Sequence, residues 1–354
     1  MQTELIPQEI QEIPAAIQAT VAETRSTAQQ AARAIQQRHP RRIFLIGNGT
    51  SFYSSLAASY TARALAGPDE AYVGAVPSGD FRYFMPQVNE NDVLVGISAS
   101  GEFRDVLAVF EQLHGRCLCV GITHIPGSSI TRLADHTLIS AGGLSQVPVM
   151  TKTYAATLVT AHLLMLETFS APEEYFADLS ASAGRAQEAT EKAGPLISEV
   201  LPAFAQYQHA FYFGAGPAYA AALEGALKMK EMAMLHAEGS ETWEMASGPA
   251  TIVDKGFICT ALYTGSETDE DTANGALHAR QWGARVLEIG EKAAAGEWHL
   301  PVRAPKYPCF ASLALIPPLA LLAYRVARQR GFNPDHPHWR DRYISQGMSH
   351  ILGE

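Results

Sequence analysis

Residues 41–51 read RRIFLIGNGTS, an apolar run that ends in a glycine-rich turn and leads into a helical pattern. The same order recurs later, where residues 211–217 read FYFGAGP and a helical stretch follows over residues 218–232. In both places an apolar strand with aromatic residues runs into G-x-G and then a helix, which is a strand–loop–helix unit. The chain therefore carries two approximate copies of one unit.

A second strand follows each unit about fifty residues further on. It covers Val93–Ile97 in the first copy and Phe257–Tyr263 in the second, and each ends in small polar residues; Val286–Ile289 supplies another strand. A repeat of this length indicates two copies of a domain rather than a solenoid. Because strands and helices alternate within each copy, the sequence predicts an α/β fold with two doubly wound parallel sheets of the flavodoxin type in tandem.

The remaining segments set the predicted domain boundaries. Residues before the first strand are rich in Ala, Gln and Glu, which is typical of helix. The link between the copies is expected in the helical stretch Phe169–Ala210, and a last helix over Cys309–Arg330 should stop at Gly331. The predicted organisation is a helical N-terminal segment over 1–40, a first domain over 41–175, a second domain over 200–332 and a C-terminal tail over 333–354.

Composition limits the partners. Hydrophobic residues make up 47% and charged residues 18%, which is globular rather than disordered, and the formal net charge is −10. Such an acidic chain repels nucleic acid and anionic membranes, so neither is expected as a partner. A small anionic ligand would have to be held by local hydrogen-bond donors.

Three features predict a cytoplasmic protein without a structural metal. The four cysteines lack the spacing of a zinc site or a disulfide framework, so we expect reduced core thiols. The polar and acidic start is not a signal peptide. The apolar run Phe310–Tyr324 is shorter than a membrane helix needs and contains Pro317 and Pro318, which interrupt it, so it is interpreted as a buried helix.

The turn after the second strand of the first copy is a candidate anion site. In doubly wound sheets, ligands bind beyond the carboxyl ends of the strands. Here Ser98 and Ser100 could donate to an anion, Gly101 would let the backbone approach, and a helix over Phe103–Leu113 would direct its amino end at the ligand. Ser51 could add a hydroxyl from the neighbouring strand end. The alternative is that these serines only cap a helix.

A second candidate lies on the helix after residue 217. Glu224, Lys228 and Glu231 are spaced i, i+4 and i+7, so they share one helix face. A carboxylate beside an ammonium could move a proton between adjacent sugar carbons. The alternative is a solvated face of ion pairs.

The tail after the last helix is rich in His, Trp and Arg. Metal binding by His336 and His338 would need further ligands, and no obvious set completes a site. The two alternatives are a segment that folds over a bound sugar and a simple surface extension.

Taken together, these segments resemble the tandem SIS (sugar isomerase) domain family, in particular the isomerase half of glucosamine-6-phosphate synthase without its glutaminase domain. The likeness covers nearly all of the chain after residue 40. The segments that carry it are Gly49-Thr50-Ser51, Phe81-Arg82-Tyr83, Ser98-Ala99-Ser100-Gly101-Glu102, Ile125–Ser129, Thr151-Lys152, Ala222–Glu231, His236-Ala237-Glu238 and Gly248-Pro249.

The resemblance implies roles for individual residues. Glu231 would be the base that moves a proton between C1 and C2, Lys228 its neighbour near the sugar, and Arg342 would fall on the family's lysine in the C-terminal tail. A homodimer with active sites at the subunit interface is implied, with no cofactor. The residues at the family's substrate- and phosphate-binding positions are Gly49, Thr50, Ser51, Ser98, Ala99, Ser100, Gly101, Phe103, Thr151 and Ser247.

Departures from the family pattern put the substrate in question. Ala99 replaces a glutamine and Phe103 a threonine, which removes two polar contacts, and Met150 stands where the family has a serine. Ser247 stands where the family has the histidine that helps to open the sugar ring, and a hydroxyl does not titrate near neutral pH. Arg342 keeps its charge, so imine chemistry is not expected there.

Three functions follow from this combination. The first is an enzyme that isomerises, deaminates or deglycates an open-chain or differently derivatised sugar phosphate, with His236, His336 or His338 replacing the lost histidine. The second is a sugar-phosphate-binding regulatory protein without catalysis. The third is an isomerase for a sugar with another terminal anion, such as a sulfonate.

Overall fold

The computed structural model describes residues 4–84 and 86–340 of the chain. The strands are β1 Arg42–Gly47, β2 Tyr72–Pro77, β3 Val93–Ile97, β4 Leu118–Thr123, β5 His136–Ile139, β6 His209–Phe213, β7 His236–Ser240, β8 Phe257–Leu262, β9 Arg285–Gly290 and β10 Trp298–Pro301. The α-helices are α1 Leu5–Gln37, α2 Thr50–Leu65, α3 Ser78–Tyr83, α4 Arg104–Leu113, α5 Ser129–Leu133, α6 Lys152–Thr168, α7 Glu173–Gln206, α8 Ala218–Ala233, α9 Thr242–Ala246, α10 Asp269–Gln281 and α11 Ser312–Gln329. Short 3₁₀ turns cover Pro249–Ile252 and Pro308–Phe310.

The chain forms two compact units. The N-terminal unit consists of Ala15–Ser145, Lys152–Ser180 and the described residues from His338 onward. The C-terminal unit consists of Ala181–Pro337, Gln146–Thr151 and the described residues up to Pro14. Each unit holds one sheet of five strands.

Both sheets are parallel and have the same strand order. It is β2-β1-β3-β4-β5 in the N-terminal unit and β7-β6-β8-β9-β10 in the C-terminal unit. The direction of winding reverses between β1 and β3 in the first sheet and between β6 and β8 in the second, which is where such folds bind ligands. The predicted α/β fold of two doubly wound domains is confirmed, as is the helical N-terminus.

The central strands form because their residues are apolar on both faces. All residues of β3, β4 and β8 are buried, as expected for parallel strands covered by helices on both sides. Close packing requires glycine at position 96 of β3, because a Cβ there would lie 2.2 Å from the ring of Phe110 in α4. The core of the N-terminal unit therefore draws α4 tightly onto the sheet, just beyond the candidate anion turn.

The last helix is a core element of the C-terminal unit. Helix α11 packs against α8 and continues through Pro317 and Pro318, within the bounds of the buried last helix that the sequence predicts. Among the described residues, Pro308–Gln329 is the one helical segment long and apolar enough to cross a membrane by length and composition, and most of it is buried in the protein. All four cysteines are free and buried, as predicted.

Candidate active site

The turn after β3, residues 98–103, is called the anion loop below. The buried Ser98 Oγ accepts hydrogen bonds from the backbone N–H of Gly101 at 3.1 Å and of Phe103 at 3.3 Å. Ser100 Oγ accepts from the N–H of Glu102 at 3.2 Å. The serines therefore tie the loop together, yet neither is the N-cap of α4, which is Phe103. Because both oxygens act as acceptors here, each hydroxyl hydrogen is left to donate to an anion.

Gly101 gives the anion loop its shape. Its φ of +70° lies in the left-handed region, which favours glycine. A Cβ at this position would lie 2.1 Å from Ser128 Oγ, in the turn after β4. The Gly101 carbonyl also accepts from the N–H of Ile130 at 3.0 Å. The anion loop therefore packs closely against the neighbouring turn, and only glycine fits at position 101.

The two substituted positions in the anion loop have structural roles. The carbonyl of Ala99 accepts from the N–H of His124 at 3.0 Å and from Thr123 Oγ1 at 3.1 Å. The half-buried ring of Phe103 packs against the apolar cluster beneath α4. These residues keep the loop in place but offer a ligand less polar surface than Gln and Thr would.

The turn after β1 lies beside the anion loop, because β1 and β3 are paired parallel neighbours. Gly49 has a φ of 51°, and Thr50 and Ser51 begin α2 and are mostly buried. The side chain of Asn48 bonds to the hydroxyl of Ser78 and steadies the turn. Among the residues that the structure describes, none bonds to Ser51 Oγ, which is therefore available to a ligand.

Helix α8 of the C-terminal unit carries a buried ion triplet. The Lys228 Nζ lies 2.6 Å from Glu231 Oε2 and 3.1 Å from Glu224 Oε1. The side chains of Lys228 and Glu224 are 1% and 0% exposed, whereas that of Glu231 is 26% exposed. The alternative of a solvated ion-pair face therefore does not hold for the first two residues. Only Glu231 presents its carboxylate to solvent.

The charge on Lys228 is fixed by its two partners. Burial by itself would lower the pKa of Lys228, but the carboxylates of Glu224 and Glu231 outweigh it and raise that pKa above its ordinary value. The ammonium is therefore retained at neutral pH. It donates a hydrogen bond to the Glu231 carboxylate and, as an ammonium, has no lone pair with which to attack a carbonyl.

Ser247, where the resemblance implies a ring-opening histidine, closes the end of a helix. Ser247 is exposed and its hydroxyl donates to the carbonyl of Trp243 at 2.7 Å, which closes the end of α9. Of the histidines considered as replacements, His236 lies at the amino end of β7 and contacts His209, while His336 and His338 are exposed in the tail. Arg342, predicted as a catalytic residue, lies outside the described residues.

Thr151 precedes α6 and is fully buried within the C-terminal unit. Its hydroxyl donates to Glu9 Oε2 at 3.1 Å, and the other oxygen of Glu9 accepts from the N–H of Gln146 at 2.6 Å. A buried carboxylate from α1 thus holds the segment before α6. The Thr151 hydroxyl is engaged within the protein.

Sequence reasoning missed His124, which lies next to the anion loop. Its ring is buried, and Nε2 lies 3.0 Å from the carbonyl of Thr153 and 2.9 Å from Thr157 Oγ1. Burial lowers the pKa of His124 to about 4, so the ring is neutral at physiological pH. It links the turn after β4 to the start of α6. The available signal was a histidine directly after the apolar run of β4.

The matching turn in the C-terminal unit is closed by its own carboxylate. Asp269, at the start of α10, accepts from the backbone N–H of Thr264 and of Gly265, each at 2.8 Å. A cavity of about 350 Å³ beside it is lined by two further carboxylates, Glu270 and Glu291, and by the ammonium of Lys292. The turn that could hold an anion in the second copy is therefore already occupied. The acidic run at 267–271 was the sequence signal for this difference.

Comparison with protein families matches the SIS domain to residues 37–167 and 203–294, together more than half of the chain. The chain belongs to the SIS domain family.

A curated relative is the glutamine–fructose-6-phosphate aminotransferase [isomerizing] of Methanothermobacter thermautotrophicus, 30% identical over 308 residues. The match covers 84% of this chain and 50% of the relative. The chain thus spans about half the length of the curated relatives it matches.

Solved structures share the fold. The C-terminal domain of glucosamine-fructose-6-phosphate aminotransferase from Francisella tularensis has a TM-score of 0.83 at 23% identity, covering 95% of this chain and 99% of that one. A tagatose-6-phosphate ketose/aldose isomerase from Escherichia coli has a TM-score of 0.77 at 22% identity, covering 93% of each chain. These likenesses confirm the tandem SIS fold predicted from the sequence.

Proposed function

We propose that this chain is an isomerase-type enzyme that moves a proton between C1 and C2 of an anionic sugar, with Glu231 as the base. The observation that carries this role is the Lys228 ammonium, buried behind Glu231 and donating to it at 2.6 Å. A base must be held in one orientation to meet the carbon-bound proton, and this hydrogen bond does so.

Burying the charges of the ion triplet costs folding free energy, which suggests that the triplet has a function. Taking charges out of water carries a desolvation penalty, and apolar residues of similar size often stabilise a helix contact at least as well. Glu224 and Lys228 are nevertheless buried where α8 packs against its unit, and Glu231 alone reaches solvent. A carboxylate supported in this way suits proton transfer better than simple binding.

The proposed step is a proton transfer through an enediol. The C2–H bond of an aldose breaks, its proton passes to the Glu231 carboxylate, and its electron pair forms the C1=C2 bond of an enediol as the carbonyl oxygen takes a proton from solvent. The enediol then loses the proton of its C2 hydroxyl to solvent, the C2=O bond forms, and the electron pair of the C1=C2 bond takes the proton from Glu231 to C1, which gives the ketose. Deamination or deglycation of an amino-sugar phosphate would begin with the same transfer. The names of the curated relative and of the E. coli neighbour both describe isomerising chemistry on 6-phosphate sugars.

We assign the anion to the anion loop and Ser51. Ser98 and Ser100 retain hydroxyl hydrogens, and the ten-residue helix α4 adds the positive end of its dipole. A sugar 6-phosphate is the proposed ligand class. Because Ala99 and Phe103 make the loop less polar, a sulfonated sugar is the alternative that this loop favours.

Ser247 affects whether the closed-ring or the open-chain form of the sugar can react. Its hydroxyl is bonded to Trp243 and does not titrate near neutral pH, so we propose that the substrate enters in its open-chain form. The same observation favours a second candidate function, a sugar-phosphate sensor without turnover.

Other assignments complete the proposal. We also propose a homodimer with active sites at the subunit interface and a cytoplasmic location. The proposed domains cover 41–175 and 200–332. Arg342 and the tail are proposed to contribute to the site.

The test is solvent deuterium exchange. Glucose, glucosamine and fructose 6-phosphates are incubated with the enzyme in heavy water, and exchange at C2 or C1 is followed by NMR. We expect exchange to fall by about 10²- to 10⁴-fold in Glu231→Gln. Glu238→Gln, which alters an exposed carboxylate in β7, is the matched control and should exchange normally.

Two outcomes would overturn catalysis. Undiminished exchange in Glu231→Gln would exclude this residue as the base. Stabilisation of the native protein by sugar phosphates, without exchange of any of them, would establish the sensor instead. Comparison of sulfonated with phosphorylated sugars, in the native protein and in Ser98→Ala, identifies the anion.

A further inference from the structure

Two histidines lie side by side at the amino end of the C-terminal sheet. His209 begins β6 and His236 begins β7, and the two residues are paired in register. Their Nδ1 atoms are 3.2 Å apart, and both side chains are exposed. This pair takes no part in the isomerase chemistry proposed above.

The separation of the two nitrogens fits a shared metal ion. Imidazole nitrogens bind Zn²⁺ at about 2.0–2.1 Å. An ion at that distance from both Nδ1 atoms, 3.2 Å apart, would see them at an angle of about 100–105°. This is close to the tetrahedral angle that zinc sites adopt.

We propose that His209 and His236 form a two-histidine site for Zn²⁺ or a similar late-transition divalent cation. Imidazole suits these metals and not Mg²⁺ or Ca²⁺, which prefer oxygen ligands. Within residues 4–84 and 86–340, no cluster of three or more His, Cys, Asp or Glu side chains is placed to hold a metal. Water therefore completes the coordination, and the metal exchanges readily.

The pair is held in place before any metal binds. The His209 ring stacks on Phe257 of β8, with ring centres 5.2 Å apart and planes inclined by 24°. Pairing of β6 with β7 fixes the backbone of both histidines. Little side-chain freedom is lost on binding, which favours affinity. The net charge of −10 also favours a cation.

Metal binding replaces an existing contact. Without metal, one Nδ1–H donates to the lone pair of the other Nδ1, so one ring carries a proton at this atom. With metal, both Nδ1 lone pairs bind the cation; the displaced proton leaves Nδ1 for solvent while Nε2 of the same ring takes one up, so both rings stay neutral. Both Nδ1 atoms therefore have a partner in either state.

Calorimetric titration of the untagged full chain with Zn²⁺ alone tests the site. We expect the native chain to bind one zinc ion. His209→Phe and His236→Phe should each weaken zinc binding by more than about 10- to 100-fold, which is the effect of removing a residue that only hydrogen-bonds to a metal ligand. Phenylalanine keeps an aromatic ring over Phe257. His278→Phe, which alters an exposed ring stacked on Trp282, is the matched control and should bind zinc normally.

A spectroscopic measurement separates ligation from indirect effects. Electron paramagnetic resonance with Cu²⁺ as the probe should report two coordinated imidazole nitrogens in the native chain and one in each single variant. Zinc binding that survives in the His209→Phe/His236→Phe double variant, or no uptake by the native chain, would overturn the site. Mg²⁺ should not compete at equal concentration.

Discussion

Replacing Lys228 by methionine removes the ammonium from the ion triplet but keeps most of the side-chain volume. Glu224 is fully buried and would lose the cation that lies 3.1 Å away. Glu231 is partly exposed and could be hydrated instead. The variant therefore isolates the cost of leaving one carboxylate buried without its counter-charge.

The expected loss of stability is large. Breaking a buried pair by removing one partner costs about 3–5 kcal/mol. In a unit of this size, 1 kcal/mol corresponds to about 2–4 °C in melting temperature, so the C-terminal unit should melt roughly 6–20 °C lower. Urea unfolding followed by intrinsic fluorescence measures the free energy directly.

An exposed pair in the same unit provides the matched control. Lys192 Nζ lies 2.6 Å from Glu188 on α7, and its side chain is 44% exposed. Lys192→Met should cost no more than about 1 kcal/mol. Adding Glu224→Gln to Lys228→Met should recover part of the loss. Equal, small effects of Lys228→Met and Lys192→Met would refute the burial argument.

Three further predictions concern the loops and the buried histidines. Burial lowers the pKa of His162 from 6.5 to about 3. The contribution of this residue to the stability of the N-terminal unit is therefore complete above pH 6.5 and falls below it by up to about 1.36 kcal/mol per pH unit. His162→Gln should flatten this pH dependence in urea unfolding between pH 5 and 7. Gly101→Ala should abolish binding of sugar phosphates and lower the melting temperature, whereas Gly127→Ala, at a similar positive φ in open space, should cost only about 1–2 kcal/mol of backbone strain. Asp269→Ala should destabilise the C-terminal unit by about 1–3 kcal/mol because two backbone donors lose their acceptor, and Glu270→Ala should have little effect in the same unfolding assay.

The sequence identifies the strands that are covered on both faces. Strands β1, β3, β6, β8 and β9 lie inside their sheets, are mostly apolar and were predicted. The four edge strands, β2, β5, β7 and β10, were not predicted. Each is partly exposed, so its pattern of apolar and polar residues resembles a loop. Edge position, which depends on partners far along the chain, accounts for these four strands; the inner strand β4 was also not assigned, although all of its residues are buried.

The candidate site shows the same limit. The position of the anion loop follows from the strand ending at Ile97, and helical spacing places Glu224, Lys228 and Glu231 on one face. Spacing does not say whether that face is buried, since this depends on packing against the rest of the unit. The carboxylate of Asp269 could not be assigned either, because its acceptor role depends on the path of the turn after β8.

Asp269 has a practical consequence for ligand discovery. Phosphate- or sulfonate-bearing fragments soaked into the protein should populate the first copy alone, even though the two folds share one topology. Compounds meant for the second copy should instead carry an amine, because three carboxylates and a single ammonium, that of Lys292, line its cavity. Chemical libraries can therefore be divided between the halves by the sign of their charge.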